Sequence, residues 1–66
     1  MNQPTFRLVI GLEEYPGGEV EYWLELASSL LLKPVVIDGP FYDYAHARNV
    51  AVTVALALSR VTFDES

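Results

Sequence analysis

The stretch from Thr5 to Ala27 constrains the fold more than any other part of the chain, because it contains two alternating runs separated by a turn sequence. The apolar rows are Phe6, Leu8, Ile10 and Leu12 in the first run, and Val20, Tyr22, Leu24 and Leu26 in the second. A period of two places one row in a core and the other outside it. Tyr15-Pro16-Gly17-Gly18 favours a turn, because proline fixes φ and glycine accepts positive φ. The pattern predicts a β-hairpin with arms at residues 5–13 and 19–27.

The two rows also suggest how the arms pair. The predicted apolar pairs are Leu12 with Val20, Ile10 with Tyr22, Leu8 with Leu24, and Phe6 with Leu26. On the other face this register places Val9 opposite Trp23 and Arg7 opposite Glu25. Cross-strand pairs of these two kinds stabilise a sheet by roughly 0.2–1 kcal/mol each. A shift by one residue would place glutamates opposite the apolar row, so the sequence disfavours it.

A helix is the alternative interpretation of the second arm. One helical stripe contains Val20, Trp23, Leu24, Ala27, Leu30 and Leu31. Such an amphipathic helix would end before Pro34 and would make the chain β-α-β-α, half of a doubly wound domain. The matched register and the β-forming residues Val20, Tyr22 and Trp23 favour the hairpin.

The remainder of the chain predicts a third strand and a helix. The strand follows Pro34 and is closed by a turn at Asp38-Gly39-Pro40, although the pattern does not indicate which residues of 30–37 face the core. An alanine-rich helix is predicted from Asp43 to Arg60, with the Asp43 carboxylate as its N-cap. Residues 50–58 also alternate, but a sheet with one apolar face needs a helical cover. Residues 61–63 could add a short last strand.

These elements predict a single α+β domain over residues 1–66, of order β-β-β-α(-β). Its three-stranded antiparallel sheet has one helix packed on one face. Helical projection gives the inner face as Tyr44, Ala47, Ala51, Val54, Ala55 and Leu58. Three larger apolar residues, Val50, Val52 and Leu56, remain at the helix flanks, where exposure would suit a subunit interface.

Composition favours association over catalysis. The chain has 66 residues, no cysteine and 52% hydrophobic residues, although a domain this small buries only about 60% of its unfolded surface. We therefore expect a homo-oligomer, a dimer or higher. The net charge of −5 disfavours direct nucleic-acid binding and suits a basic protein partner, but acidity could also serve solubility alone.

Catalytic and membrane motifs are absent from the sequence. The chain has a single histidine, His46, which is better interpreted as a solvated helix residue than as a general base or metal ligand. Asp38-Gly39-Pro40 lacks the further acidic ligands of a metal loop, and Gly17-Gly18 lacks the pattern of a phosphate loop. The apolar run at residues 50–58 is too short to span a bilayer. We expect a cytoplasmic protein that is not an enzyme, uses no cofactor or metal, and does not bind membranes.

Trp23 is the main candidate for partner binding. In the hairpin it lies on the outer row between Glu21 and Glu25, with Arg7 on the neighbouring arm. A large aromatic residue among charges is typical of a protein-binding hot spot. The alternative is that the indole only covers Val9 and Gly11.

The chain resembles the N-terminal domain of HicB-type antitoxins. The matching features are residues 6–10, the Gly17-Gly18 turn, residues 22–26, the strand ending at Asp38-Gly39, and the alanine-spaced helix over residues 43–58. The resemblance implies a partly double-stranded-RNA-binding-like β-β-β-α-β fold. It also implies an oligomer that inhibits a small basic ribonuclease toxin by covering its active site, within a toxin-antitoxin system.

Two alternatives belong to other functional classes. The first is a phage-type inhibitor of a host enzyme that uses the acidic face to mimic nucleic acid. The second is a β-α-β-α enzyme subunit with Asp38 or His46 near a substrate. Self-repression through a DNA-binding domain is not expected of these 66 residues.

Overall fold

The computed structural model describes residues 5–64 as a four-stranded sheet covered on one face by a helix. In chain order the elements are β1 (Phe6–Glu14), β2 (Val20–Ser28), β3 (Val35–Phe41), α1 (Tyr44–Ala57) and β4 (Val61–Phe63). The spatial order of the strands is β3-β2-β1-β4. The α+β class is therefore confirmed, but the sheet is mixed, because β4 joins β1 in parallel while the other pairs are antiparallel.

The hairpin forms between β1 and β2, so the helical alternative for the second arm is wrong. Its turn closes through a hydrogen bond from the Gly18 N–H to the Tyr15 carbonyl, N···O 2.9 Å, and another of 2.9 Å from the Tyr15 N–H to the Glu19 carbonyl. Gly18 has φ +86°, a conformation that favours glycine. The turn thus spans the tetrapeptide Tyr15 to Gly18, as the sequence indicates.

The predicted register is wrong by two residues. The structure pairs Leu12 with Tyr22, Ile10 with Leu24, and Leu8 with Leu26. A shift of two keeps every side chain on its predicted face, because the period of a strand is also two. It changes which side chains are opposite each other, however: Trp23 lies across from Gly11 and Glu25 from Val9, while Arg7 lies across from Ala27.

Strand β3 continues through the predicted turn at Asp38-Gly39-Pro40 and ends at Phe41. Two register shifts interrupt its pairing with β2, so irregularities of the bulge type absorb the turn-forming residues. Gly39 has φ +122°, and its peptide bond to Pro40 is cis. Pro34 precedes the strand, and β3 forms one edge of the sheet, which is where proline is tolerated.

Helix α1 is shorter than predicted and ends at Ala57. Asp43 occupies the N-cap position, but its side chain makes no capping hydrogen bond; instead its carbonyl accepts from the Ala47 N–H at 3.2 Å. Leu58 is already extended, and the chain then turns into β4. Among the described residues, no helix is both long and apolar enough to cross a membrane.

The core lies between α1 and the sheet and is small. Its buried members are Leu8, Leu24, Phe41, Ala47 and Ala51. The two alanines are fully buried, so the helix axis approaches the sheet closely. Val54 and Ala55 pack at the margin of this core, whereas Tyr44 and Leu58, both predicted on the inner face, are exposed.

The molecule exposes more surface than its mass predicts. Its accessible surface is 4892 Å², whereas a folded monomer of 7.4 kDa exposes about 4,200 Å². The long axis measures 49 Å against widths of 25 and 18 Å. An elongated chain with few buried residues leaves apolar side chains in solvent, particularly along β3 and the end of α1.

Candidate functional site

The face of the sheet opposite α1, here called the outer face, carries the residues that the sequence selects for partner binding. Leu24 is buried under the helix, so its neighbours Trp23 and Glu25 project to the other side of β2. The outer row of β1 supplies Arg7, Val9, Gly11 and Glu13. Glu21 and Trp23 lie opposite Glu13 and Gly11 respectively.

A depression of about 380 Å³ lies on the outer face, near the hairpin end of the sheet. Its lining residues are Gly11, Leu12, Glu13, Trp23, Glu25 and Val36. They come from β1, β2 and β3, so the depression crosses three adjacent strands. Its members from the outer row are an indole, two carboxylates and the aliphatic side chain of Val36, whereas Leu12 belongs to the inner row of β1.

Trp23 is half-buried and leans towards β3. A Cβ atom added to Gly39 would lie 3.0 Å from Cε3 of the indole and 3.3 Å from the Trp23 Cα. The three atoms nearest to the Cβ position of Gly11, the cross-strand neighbour of Trp23, all belong to Glu25. The indole lies against the backbone of β3 at Gly39.

Glu25 occupies the space that Gly11 leaves open. A Cβ atom on Gly11 would collide with the carboxylate of Glu25, so the missing side chain allows that carboxylate to lie along the sheet. The residue is half-buried. Within the described part of the chain, Glu25 makes no side-chain hydrogen bond or ion pair. A partly desolvated carboxylate without a partner favours a cation beside it.

Glu21 differs from Glu25 because it has a partner. The Tyr15 hydroxyl donates a 2.6 Å hydrogen bond to Oε1 of Glu21. This bond, together with desolvation and the nearby charge of Glu13, raises the pKa of Tyr15 to about 12. Glu21 also lies directly opposite Glu13, so two like charges are adjacent at this end of the sheet. The outer face thus has a concentrated negative potential next to the depression.

Arg7 lies away from this group. Its guanidinium forms a 3.1 Å ion pair with Asp64, the residue after β4, and the predicted pairing with Glu25 does not occur. The structure thus brings Trp23 and Glu25 together, places Glu21 beside them, and separates Arg7. Sequence reasoning did not select Gly11, Glu13 and Val36 as residues of the site. Gly11 could have indicated the depression, because it leaves a gap in the outer row of side chains on β1.

The proposed interface residues on α1 have different environments. Val50 packs against the core, Val52 is half-buried, and Leu56 is 84% exposed. A second exposed apolar group follows the free edge of the sheet at Val35, Val36 and Ile37. An unpaired strand edge of this kind can pair with another chain.

His46 is exposed and packs edge-on against Phe41, with ring centroids 5.0 Å apart. Within residues 5–64, no group of three or more His, Cys, Asp or Glu side chains is arranged to hold a metal ion. The ring contact joins the first turn of α1 to the end of β3.

Comparison of the chain with protein-family models, with curated proteins and with solved structures gave no match.

Proposed function

We propose that the chain is a small acidic interaction module, antitoxin-like in function, that binds and masks a basic nuclease-type toxin through its outer face. The observation that carries this proposal is the depression lined by half-buried Trp23 and by Glu25, whose carboxylate has no partner among residues 5–64. Binding hot spots are enriched in tryptophan and lie in pockets that become desolvated in the complex.

The charge distribution supports a basic partner. The chain has nine acidic and four basic residues, and Glu13, Glu21 and Glu25 all lie on the outer face. Arg7, the cation of this face, is paired with Asp64 at its far end. A ribonuclease needs cations to bind the RNA backbone, so its active-site surface is complementary to this acidic face. Complementary potentials accelerate encounter and disfavour other partners.

The order of the elements supports the proposed HicB-like assignment. The observed succession β-β-β-α-β is the one that the resemblance of residues 6–10, 22–26 and 43–58 implies. The same order leaves one face of the sheet uncovered, as a masking protein requires. The proposal places the chain in the cytoplasm, where cellular RNA is the substrate of such a toxin.

We also propose that the chain forms a homo-oligomer. The accessible surface is larger than expected for its mass, and Leu56 projects into solvent from α1. Burying this residue against a second copy would leave the outer face of each subunit free, because α1 lies on the opposite side of the sheet.

The test is coexpression of the tagged chain with any small basic protein encoded beside its own gene. We expect the two proteins to copurify and the chain to suppress RNA cleavage by the partner at equimolar amounts. Trp23→Ala should abolish suppression, whereas Tyr42→Ala, an exposed aromatic residue preceding α1, should preserve it.

Either of two results would contradict the masking role. One is undiminished RNA cleavage in the presence of excess chain. The other is suppression that persists in Trp23→Ala. Inhibition of a DNA-binding host enzyme without effect on the ribonuclease would instead support the nucleic-acid-mimic alternative.

A further inference from the structure

We propose that the depression on the outer face binds the guanidinium group of one arginine side chain presented by the protein partner. The inference rests on the proposed function and specifies which chemical group of the partner the site recognises. In the complex, the guanidinium stacks on the indole of Trp23 and pairs with the carboxylate of Glu25.

The indole provides the first half of the site. Trp23 lines the depression, and the Cε3 edge of its ring lies against the β3 backbone at Gly39. Cations within about 6 Å of an aromatic face are attracted by the ring quadrupole, and tryptophan is the strongest partner. Guanidinium is more weakly hydrated than ammonium and is planar, so it stacks on such a ring at a lower desolvation cost.

The carboxylate of Glu25 provides the second half. It lies along the sheet above Gly11, is half-buried, and has no partner among residues 5–64. Glu13 lines the same depression. Carboxylates and guanidinium form two parallel N–H···O bonds, a geometry that the rounded ammonium group of lysine cannot reproduce. The site should therefore prefer arginine to lysine.

Val36 suits the aliphatic part of an arginine side chain. It lines the depression from β3 and is about half exposed. The methylene stem of arginine can cover such surfaces while its charged end reaches the carboxylates. The two carboxylates also exclude phosphate and other anions as occupants.

Tryptophan fluorescence can test this inference, because Trp23 is the single tryptophan of the chain. The probes are acetyl-Gly-Arg-Gly-amide and the same peptide with lysine or with citrulline, the neutral isostere of arginine, titrated at constant ionic strength. We expect a saturable emission change with the arginine peptide in the millimolar range. Binding should be several-fold weaker with lysine and about tenfold weaker with citrulline, since charge-assisted bonds are about twice as strong as neutral ones.

Matched variants locate the site. Glu25→Gln keeps the shape of the side chain and should weaken the arginine peptide about tenfold without changing the citrulline peptide. Gly11→Ala should also weaken it, because the new methyl group displaces the Glu25 carboxylate. Glu19→Gln, at the exposed turn and outside the depression, should leave affinity unchanged. Circular dichroism of each variant checks that the sheet is retained.

Equal affinity for the arginine and citrulline peptides, or unchanged affinity in Glu25→Gln, would overturn the proposal.

The arginine site and the masking role can be refuted independently of each other. If the arginine peptide does not bind but Trp23→Ala still abolishes toxin suppression, the arginine site is wrong and the masking role stands. If the peptide binds and no basic nuclease is suppressed, the arginine site stands and the masking role is wrong.

Discussion

Tyr15 and Glu21 are joined across the hairpin turn by a 2.6 Å hydrogen bond from the phenol to Oε1 of the carboxylate. The bond connects the first residue of the turn to the outer row of β2. It therefore fixes the position of a negative charge at the edge of the proposed binding surface, close to Glu13 on the opposite strand.

The first prediction concerns the titration of Tyr15. Its pKa of about 12 lies above the ordinary value of 10.0, so the folded chain holds this proton more tightly than the unfolded chain. Any resulting stabilisation is present below pH 10 and is lost as the pH rises towards 12. Absorbance at 295 nm should show a tyrosine that titrates with a pKa of about 12. Glu21→Gln should lower this pKa towards 10, and Glu19→Gln should not; an unchanged curve in Glu21→Gln would refute the assignment.

The second prediction concerns Gly39. Its φ of +122° disfavours any L side chain, and a Cβ atom would lie 3.1 Å from the Tyr22 carbonyl oxygen as well as against the indole. Gly39→Ala should lower the free energy of unfolding by about 1–3 kcal/mol, measured by urea denaturation. Gly17→Ala is the control, because a Cβ there meets open space. Equal stability of the two variants would contradict the described path of β3.

The third prediction concerns the close approach of helix and sheet. Ala51 is fully buried, so Ala51→Leu forces the helix outward and should cost about 1–3 kcal/mol. Ala45→Leu, on the exposed side of the same helix, should change stability by less than about 0.5 kcal/mol. Thermal unfolding followed by circular dichroism separates the two. A neutral Ala51→Leu would mean that α1 does not pack on the sheet through its alanines.

The fourth prediction concerns association. Light scattering should give at least twice the monomer mass of 7.4 kDa, and the melting temperature should rise with concentration. Leu56→Asp should shift the mass to that of the monomer. Leu30→Asp changes a leucine that is 67% exposed in the loop between β2 and β3, and it should leave the mass unchanged. A monomer at every concentration would exclude the proposed interface.

The sequence predicts the hairpin and its faces because alternation reports side-chain direction directly. It does not distinguish registers that differ by two residues, since a shift of two residues keeps Leu8 and Leu24 in the core. The hydrogen bond that closes the turn between Tyr15 and Gly18 selects the actual register. That choice decides that Trp23 lies opposite Gly11, a relationship that the apolar rows alone could not indicate.

Strand β3 and the end of α1 could not be predicted correctly from local sequence preference. Asp38-Gly39-Pro40 has the composition of a turn, but pairing with β2 keeps it within a strand. Alanine and leucine favour helix as far as Leu58, yet the helix ends at Ala57 because the chain has to return to β1 as β4. In both places tertiary pairing overrides local preference. The depression depends on β3 through Val36 and Gly39, so its form could not be deduced in advance.

The parallel pairing of β4 with β1 has a mechanical consequence. The two strands start at the same end of the sheet, with Phe6 beside Val61, and Asp64 is held to Leu8 by a backbone hydrogen bond. A force that pulls Thr5 and Asp64 apart acts along both strands in opposite directions, so it shears their hydrogen bonds together and does not unzip them one by one. The chain should resist a force applied between these two residues more strongly than a force that separates β1 from β2 at one end of the hairpin.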